Sequence, residues 1–128
     1  MIIIDTDVMV DLLRQYPSAV TWLATLGDEE IVLPGFVVME LLQGCKNNYE
    51  QDKVEQVLTG FEIAWPLPET CGEALKVFAR YHLNNNLGLL DALIGQTAVA
   101  LNLPLHTFNR KHYAAIPSLV TIEPYNKP

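Results

Sequence analysis

The sequence predicts an α/β protein in which helices cover both faces of a mainly parallel sheet. Five short runs rich in apolar and β-branched residues alternate with segments of helical periodicity. Such alternation is typical of strand–helix–strand units, which build parallel sheets that are buried on both sides. A chain of 128 residues is long enough to form a core of its own, and we expect a single domain.

Three strands and five helices are predicted before the asparagine run at residues 84–86. MIIID predicts a first strand that is buried on both faces, and helical spacing follows from Val8 to Arg14. PSAVTWLATLG predicts a second helix, because Pro17 and Gly27 are typical of a helix start and a helix end. EIVLP predicts the second strand and FEIAW the third.

Two helices are predicted between the second and third strands, with apolar residues that mark their inner faces. The helix in FVVMELLQG is expected to bury Val37, Val38 and Leu41. The helix in YEQDKVEQVLTG is expected to turn three residues inward, namely Val54, Val57 and Leu58. ETCGEALKVFARYHL predicts another amphipathic helix, and LLDALIGQTAVALNL a largely buried one. The last two strands are LPLHT and LVTIE, separated by FNRKHYAAIPS.

The net charge of −7 argues against broad electrostatic attraction to nucleic acid, which normally requires clustered lysine and arginine. This objection weakens if several carboxylates gather at one site, because divalent cations would neutralise them there and attract phosphate. A basic protein partner would weaken it further.

The cysteines and the start of the chain carry no metal-binding or sorting pattern. Cys45 and Cys71 lack the spacing of a zinc site, and we expect two reduced, partly buried thiols. No basic segment followed by a long apolar stretch begins the sequence, and the longest apolar region is interrupted by Asp91, Gln96 and Asn102. We therefore expect a cytoplasmic protein without a signal peptide or a membrane span.

Three acidic residues, Asp5, Glu40 and Asp91, occur in apolar surroundings on three separate predicted elements. A carboxylate in such a place is costly to bury unless it is paired or binds a cation. Taken singly, Asp5 and Asp91 could be helix caps, and Glu40 could reach the surface. The eight lysines and arginines are mostly on polar faces and too few to pair all three. Together the acids predict a site for Mg²⁺ or Mn²⁺, which suits hydrolysis of a phosphodiester.

Other polar residues follow the predicted strands at the carboxyl edge of the sheet, where α/β proteins bind ligands. Asp7 comes just after Asp5, and Thr107 and Asn109 follow the strand in LPLHT. Capping and turn chemistry is the ordinary explanation for these three residues. Asp11, one helical turn beyond Asp7, is expected to be a solvated helix residue.

Four segments resemble the PIN-domain nucleases and, within them, the VapC-type toxins of bacterial toxin–antitoxin (VapBC) pairs. These segments are IIIDTDVMVDLL, MELLQG around Glu40, LLDALIGQTAVALNLPLHT around Asp91, and TFNRKHYAAIPSL. They run in the family's order and span nearly the whole chain. The resemblance implies one PIN domain over residues 1–128, with a three-layer α/β/α sandwich and a central, mainly parallel sheet of about five strands.

The resemblance implies a metal-dependent endoribonuclease whose catalytic residues are Asp5, Glu40, Asp91, Thr107 and Asn109. The three acids would bind one or two Mg²⁺ or Mn²⁺ ions, with Asp7 and Asn109 as additional candidate ligands. Asn109 supplies no charge at a position where many relatives carry an acid. Thr107 is implied to orient a metal-bound water or Asn109. Asp7 stands where relatives often carry Asn or Ser, and capping is its minimum expected role.

RNA is the implied substrate, with transfer RNA or ribosomal RNA as the targets common among VapC-type proteins. Four basic residues are candidate phosphate contacts, namely Arg14, Lys46, Arg110 and Lys111. The implied partner is a cognate VapB-type antitoxin, which wraps the toxin with an apolar segment and brings an arginine towards the carboxylates. A homodimer is also implied, and residue type alone suggests interface roles for Trp22, Tyr49 and Phe61.

Three other functions stay open at this level. DTDV is similar to the opening motif of HAD-type phosphatases, in which the first aspartate is a nucleophile, but no Asp-rich motif follows Asp91. An RNA-processing PIN nuclease outside a toxin–antitoxin pair would use the same residues. The third is a catalytically inert PIN scaffold that binds RNA or protein, which the neutral Asn109 would permit.

Overall fold

All five predicted strands are present and form one parallel sheet in the computed structural model, which describes residues 1–128. The strands are β1 (Ile2–Ile4), β2 (Ile31–Pro34), β3 (Glu62–Ala64), β4 (Leu105–His106) and β5 (Thr121–Ile122). Their order across the sheet is β3-β2-β1-β4-β5, and every pair of neighbours is parallel. The predicted α/β class and five-stranded sheet are confirmed.

Seven helices connect the strands. They are α1 (Thr6–Leu13), α2 (Pro17–Thr25), α3 (Gly35–Gln43), α4 (Asn48–Leu58), α5 (Pro68–Asn85), α6 (Leu89–Leu101) and α7 (Arg110–Tyr113). The sequence predicted no element at α7, because a single helical turn is too short to show a period of 3.6 residues. None of the helices combines the length and the apolar character needed to cross a membrane.

The core surrounds β1, the central strand. Ile3 and Ile4 are fully buried, and the helices α1, α3 and α6 contribute further buried side chains. The predicted inner face of α3 is confirmed, since Val37, Val38 and Leu41 are all buried. Both cysteines are free and half-buried, as expected.

The prediction for Val57 was wrong. Its side chain is 47% exposed, whereas its neighbour Leu58 is buried. Consecutive residues differ by about 100° around a helix, and α4 is polar enough to bury only a narrow stripe. Leu58 occupies that stripe, which leaves Val57 outside it.

The strand order changes direction at β1, because β2 pairs on one side of it and β4 on the other. Crevices at such switch points, outside the carboxyl ends of the strands, are the usual ligand sites of open α/β sheets. Asp5 directly follows β1 and Thr107 directly follows β4. The fold therefore brings these two residues, 102 positions apart in sequence, to the same crevice.

Asp11 is buried, which corrects the expectation of a solvated residue. The end of the chain covers it: the Tyr125 hydroxyl donates a hydrogen bond of 2.6 Å to Asp11 Oδ2, and Lys127 Nζ lies 2.7 Å from the same oxygen. Tyr125 also packs beside the rings of Trp22 and Phe108. Sequence reasoning missed these contacts because their residues lie more than 110 positions from Asp11.

Tyr125→Phe is expected to lower the free energy of unfolding by about 2 kcal/mol, because the substitution removes a short hydrogen bond to a buried carboxylate. Tyr49→Phe is the matched control, since the Tyr49 side chain is 67% exposed, and it should change stability by less than about 0.5 kcal/mol. Urea unfolding of the two variants measures both values. Equal stability of the two variants would contradict a stabilising role for the Tyr125–Asp11 bond.

Candidate active site

Asp5 is the central acid of the crevice and is only 3% exposed. It caps α1: its Oδ1 accepts a hydrogen bond of 2.7 Å from the Thr6 backbone N–H. Its Oδ2 accepts another, of 2.8 Å, from the Thr107 hydroxyl. Burial and, to a smaller extent, the Asp7 carboxylate raise the pKa of Asp5 to about 6. Asp5 therefore lies in a site that disfavours its negative charge, although two donors are aimed at it.

Thr107 joins the crevice to the loop after β4. Its side chain is fully buried, and its hydroxyl both donates to Asp5 and accepts a hydrogen bond of 3.0 Å from the Asn109 backbone N–H. Asn109 is exposed and is the N-cap residue of α7, without a side-chain capping bond. Thr107 thus fixes the backbone at Asn109 while it holds Asp5.

Thr6 links Asp5 to Glu40. Its backbone N–H donates to Asp5, and its hydroxyl donates a bond of 2.7 Å to Glu40 Oε1 on α3. Glu40 is half-buried, as expected for an acid at the border of an apolar helix face. Sequence reasoning missed Thr6, although its position directly after Asp5 at a helix start was the available signal.

Asp7 connects α1 to the loop after β4, and Asp5 rather than Asp7 is the helix cap. Asp7 Oδ1 accepts a hydrogen bond of 2.8 Å from the Val8 backbone N–H, and Oδ2 accepts one of 2.8 Å from the Phe108 backbone N–H. Burial raises the pKa of Asp7. Both oxygens thus face backbone donors, so Asp7 holds the two sides of the crevice together.

Asp91 lies in the first turn of α6, three residues after the N-cap residue Gly88. Its carboxylate folds back over that glycine: a Cβ atom at position 88 would lie 2.9 Å from Asp91 Oδ2. Carboxylates in a first turn are stabilised by the helix dipole. Gly88 therefore leaves room for the observed position of Asp91.

Tyr113 lies among the three acids, a placement that the sequence did not predict. Burial raises its pKa, and so do the carboxylates of Asp5, Asp91 and Glu40. The hydroxyl lowers the pKa of Asp5 through a polar contact, but the geometry of this contact falls short of a hydrogen bond. The available signal was a tyrosine within the apolar spacing of TFNRKHYAAIPSL.

The donor chemistry of the crevice fits a hard divalent cation. Its acids offer only oxygen ligands, and none of the chain's ion pairs involves them, since those pairs join Met1 to Glu29, Lys76 to Glu73, and Lys127 to Asp11. In the side-chain positions of this structure, no three acidic, histidine or cysteine residues form a ready metal-binding cluster. Asp5, Glu40 and Asp91 are the residues that would hold an ion.

The chain matches the family model of the PIN domain over residues 2–116. It belongs to the PIN domain family. The resemblance stated from the four sequence segments is thereby confirmed, and the alternative based on the HAD-type phosphatase motif is set aside.

Several relatives of this PIN domain are VapC proteins. Ribonuclease VapC19 of Mycobacterium tuberculosis is 32% identical over 122 residues, which are 91% of this chain and 95% of the relative. A toxin–antitoxin complex from Klebsiella pneumoniae has a chain that is 26% identical, with a TM-score of 0.77 and coverage of 99% and 100% of the two chains. VapBC2 of Rickettsia felis, solved with a promoter DNA fragment, gives 25% identity and a TM-score of 0.79 with coverage of 95% and 98%. The three-layer PIN fold and the VapC-type relationship are thus established.

Two grooves of the PIN domain carry the basic residues that were predicted to contact phosphate. Arg14 and Lys46 line a groove of about 520 Å³ together with Thr6 and Glu40. Arg110 and Lys111 line a second one, of about 610 Å³, together with Asn109. All four basic side chains are exposed.

Two of the three aromatic residues suggested for a dimer interface have partners within the chain. Trp22 packs beside His106 and Tyr125, and Phe61 packs against the core. Large aromatic rings serve cores as well as interfaces, and the interface roles suggested for the three residues stay predictions. Only Tyr49 is freely exposed.

Thr107→Val is expected to lower stability by about 1–3 kcal/mol, because the Asn109 N–H and the Asp5 carboxylate each lose a buried partner. The same loss of support at Asp5 should reduce RNA cleavage by about 10–100-fold. The matched control is Thr97→Val, since Thr97 is also buried but donates only to the Leu93 carbonyl on its own helix. Urea unfolding and a cleavage assay measure the two effects, and Thr107→Ser should restore both. Full activity in Thr107→Val would contradict a role for Thr107 in the active site.

Proposed function

We propose that this VapC-type PIN domain is the toxin of a type II toxin–antitoxin system and acts as a metal-dependent, site-specific endoribonuclease. One observation carries the proposal: a buried aspartate without a cationic partner, Asp5, lies at the sheet's switch point and is connected to Glu40 through Thr6. The relative VapC19 is named a ribonuclease, which supports RNA as the substrate.

Asp5, Glu40 and Asp91 are the proposed ligands of one or two Mg²⁺ or Mn²⁺ ions, with Asp7 and Asn109 as additional candidates. Both Asp7 oxygens accept hydrogen bonds from backbone N–H groups, which favours a role in positioning the site over direct contact with the ion. Asn109 is exposed and lines the same groove as Arg110 and Lys111, which makes it available to a bound substrate. A bound ion supplies Lewis acidity at the phosphate and compensates the charge of the three carboxylates.

The chain's own residues would bind the RNA and move a proton. The proposed phosphate contacts are Arg14 and Lys46 in the groove that includes Glu40, and Arg110 and Lys111 in the groove that includes Asn109. The Asp5 carboxylate is the proposed group that orients and deprotonates the attacking water in a one-metal arrangement. Its pKa of about 6 belongs to the metal-free protein, and a bound ion would lower it. The water oxygen bonds to phosphorus, its proton passes to Asp5, the bond from phosphorus to the leaving oxygen breaks, and the leaving oxygen takes up a proton from solvent water. Thr107 and Thr6 keep Asp5 oriented during this step.

Transfer RNA or ribosomal RNA is the proposed target, and a VapB-type antitoxin is the proposed partner. Chains of similar fold occur in toxin–antitoxin complexes from Klebsiella pneumoniae and Rickettsia felis. Acids without a cationic partner would attract an arginine of the antitoxin strongly, which gives inhibition a simple physical basis. We also propose a homodimer as the working unit.

Cleavage of total cellular RNA by the purified chain, free of any antitoxin, tests the function. The reactions contain Mg²⁺, Mn²⁺ or EDTA, and the products are mapped by sequencing. We expect discrete fragments of one RNA class in the presence of metal and none with EDTA. Cleavage at many unrelated sites would favour an RNA-processing nuclease, and intact RNA would favour an inert scaffold.

A further inference from the structure

The groove lined by Arg14, Lys46, Thr6 and Glu40 extends along α1, α3 and α4, and we call it the α4 groove. One of its ends is formed by the Thr6–Glu40 pair of the candidate active site. Its lining also includes Lys53, a residue that the sequence did not single out. The groove thus includes one of the three candidate metal ligands, Glu40, and reaches past the last turn of α3 onto α4.

Three basic side chains line the α4 groove, together with the two acids Glu40 and Glu50. Arg14, Lys46 and Lys53 are three of only eight lysines and arginines in a chain of net charge −7. None of the three forms an ion pair, whereas Lys76 and Lys127 do. The backbone N–H of Lys46 donates to the Glu50 carboxylate, which fixes the start of α4 without neutralising the Lys46 side chain. Cations without an ion-pair partner, beside a candidate phosphodiester site, are available to contact the phosphates of a nucleic acid.

An exposed aromatic ring, Tyr49, stands beside one of these cations, Lys53, although it is not itself part of the groove lining. The Tyr49 side chain is 67% exposed, and Lys53 Nζ lies 4.6 Å from the centre of its ring. The contact holds a ring face and an ammonium group next to each other at the surface. Proteins that bind single-stranded nucleic acid commonly stack an aromatic ring on a base and place a cation near the phosphates. A duplex could not use the ring, because its bases are already stacked.

We propose that the α4 groove binds a single-stranded segment of the RNA on one side of the cleaved bond, with Arg14, Lys46 and Lys53 on its phosphates and Tyr49 stacked on a base. This inference rests on the proposed ribonuclease function and makes it more specific, because it assigns the RNA contacts on one side of the cleaved bond to named residues of the α4 groove and to Tyr49. Tyr49 thereby has a role in substrate binding, and its exposure serves the RNA rather than a second protein chain.

Fluorescence anisotropy with a labelled oligouridine of about 15 nucleotides, long enough to cover the groove, tests the proposal. The protein is the full chain in Mg²⁺, and a gel confirms that the probe stays intact. Tyr49→Ala should weaken binding by at least about fivefold, and Tyr49→Phe by less than about twofold. The double variant Lys46→Gln, Lys53→Gln should reduce the slope of log affinity against log salt by about 1.4, because each of the two lost phosphate contacts accounts for about 0.7 of that slope. Lys76→Gln on α5 is the control and should change neither value.

A duplex of oligouridine with oligoadenosine provides the second arm, and its binding should not respond to Tyr49→Ala. The proposal is overturned if the double variant keeps the wild-type salt slope, or if the duplex depends on Tyr49 as strongly as the single strand. It is also overturned if these substitutions weaken only binding of the antitoxin, which would assign the groove to a protein. A wild-type chain that cleaves no RNA would refute the ribonuclease function, while the anisotropy data would still show whether the α4 groove binds RNA. In an active enzyme the variants should raise KM and leave kcat nearly unchanged.

Discussion

Asp5→Asn is expected to reduce the rate of RNA cleavage by about 10²–10⁴-fold, the range typical of a lost general base. The substitution keeps the size and shape of the side chain but removes its charge and its ability to accept a proton. Asp5 is nearly completely buried between Thr6 and Thr107, so no other acid can take its place without a rearrangement of both strands' ends. The measurement is kcat on the RNA target that sequencing of the cleavage products identifies.

Asp28→Asn is the matched control for this variant. Asp28 is exposed and precedes β2, which places it at the amino end of the sheet, opposite the candidate site. Its substitution should leave cleavage within about twofold of the wild type. Wild-type activity in Asp5→Asn would show that the catalytic acids lie elsewhere.

The metal-free protein is expected to lose roughly 3 kcal/mol of stability through Asp5 as the pH rises from about 4 to about 6. The pKa of Asp5 is 3.8 in the unfolded chain and about 6 in the fold. Below pH 3.8 both states hold the proton, so Asp5 contributes no difference. Between the two values the unfolded state alone ionises, which favours unfolding, and above pH 6 the full penalty remains.

Urea unfolding of wild type and Asp5→Asn in EDTA measures this effect as a difference between the two proteins. Asp7 has a pKa shift of the same sign, and the difference between the variants separates Asp5 from it. Mg²⁺ or Mn²⁺ at pH 7 should restore the stability of the wild type and leave Asp5→Asn nearly unchanged, because an ion that binds only the fold stabilises it. Parallel pH profiles in the two proteins would contradict the assignment of the penalty to Asp5.

The strands were predictable because parallel strands buried on both faces appear as continuous apolar runs. Asp5, Glu40 and Asp91 stood out for a similar reason: Asp5 ends an apolar strand, and the other two interrupt apolar segments of helices. The order of strands and helices then placed Asp5 and Thr107 at one edge of the sheet. The main frame of the candidate site therefore followed from local patterns and the rule for parallel sheets.

Contacts between distant segments could not be predicted from those patterns. Asp11 became buried because Tyr125 and Lys127 cover it from the other end of the chain. Thr6 and Tyr113 are ordinary residues in the sequence, and only the fold shows that one bridges two acids and the other lies among three. Each of these roles depends on side-chain positions that no periodicity encodes.

The binding of Mn²⁺ tests most directly whether Asp5, Glu40 and Asp91 act as one metal site. Electron paramagnetic resonance measures free Mn²⁺ during titration of the wild type and of Asp5→Asn, Glu40→Gln and Asp91→Asn. We expect the wild type to bind Mn²⁺ and each of the three variants to bind it at least about tenfold more weakly, whereas Asp28→Asn should match the wild type. Wild-type affinity in all three variants would contradict the site.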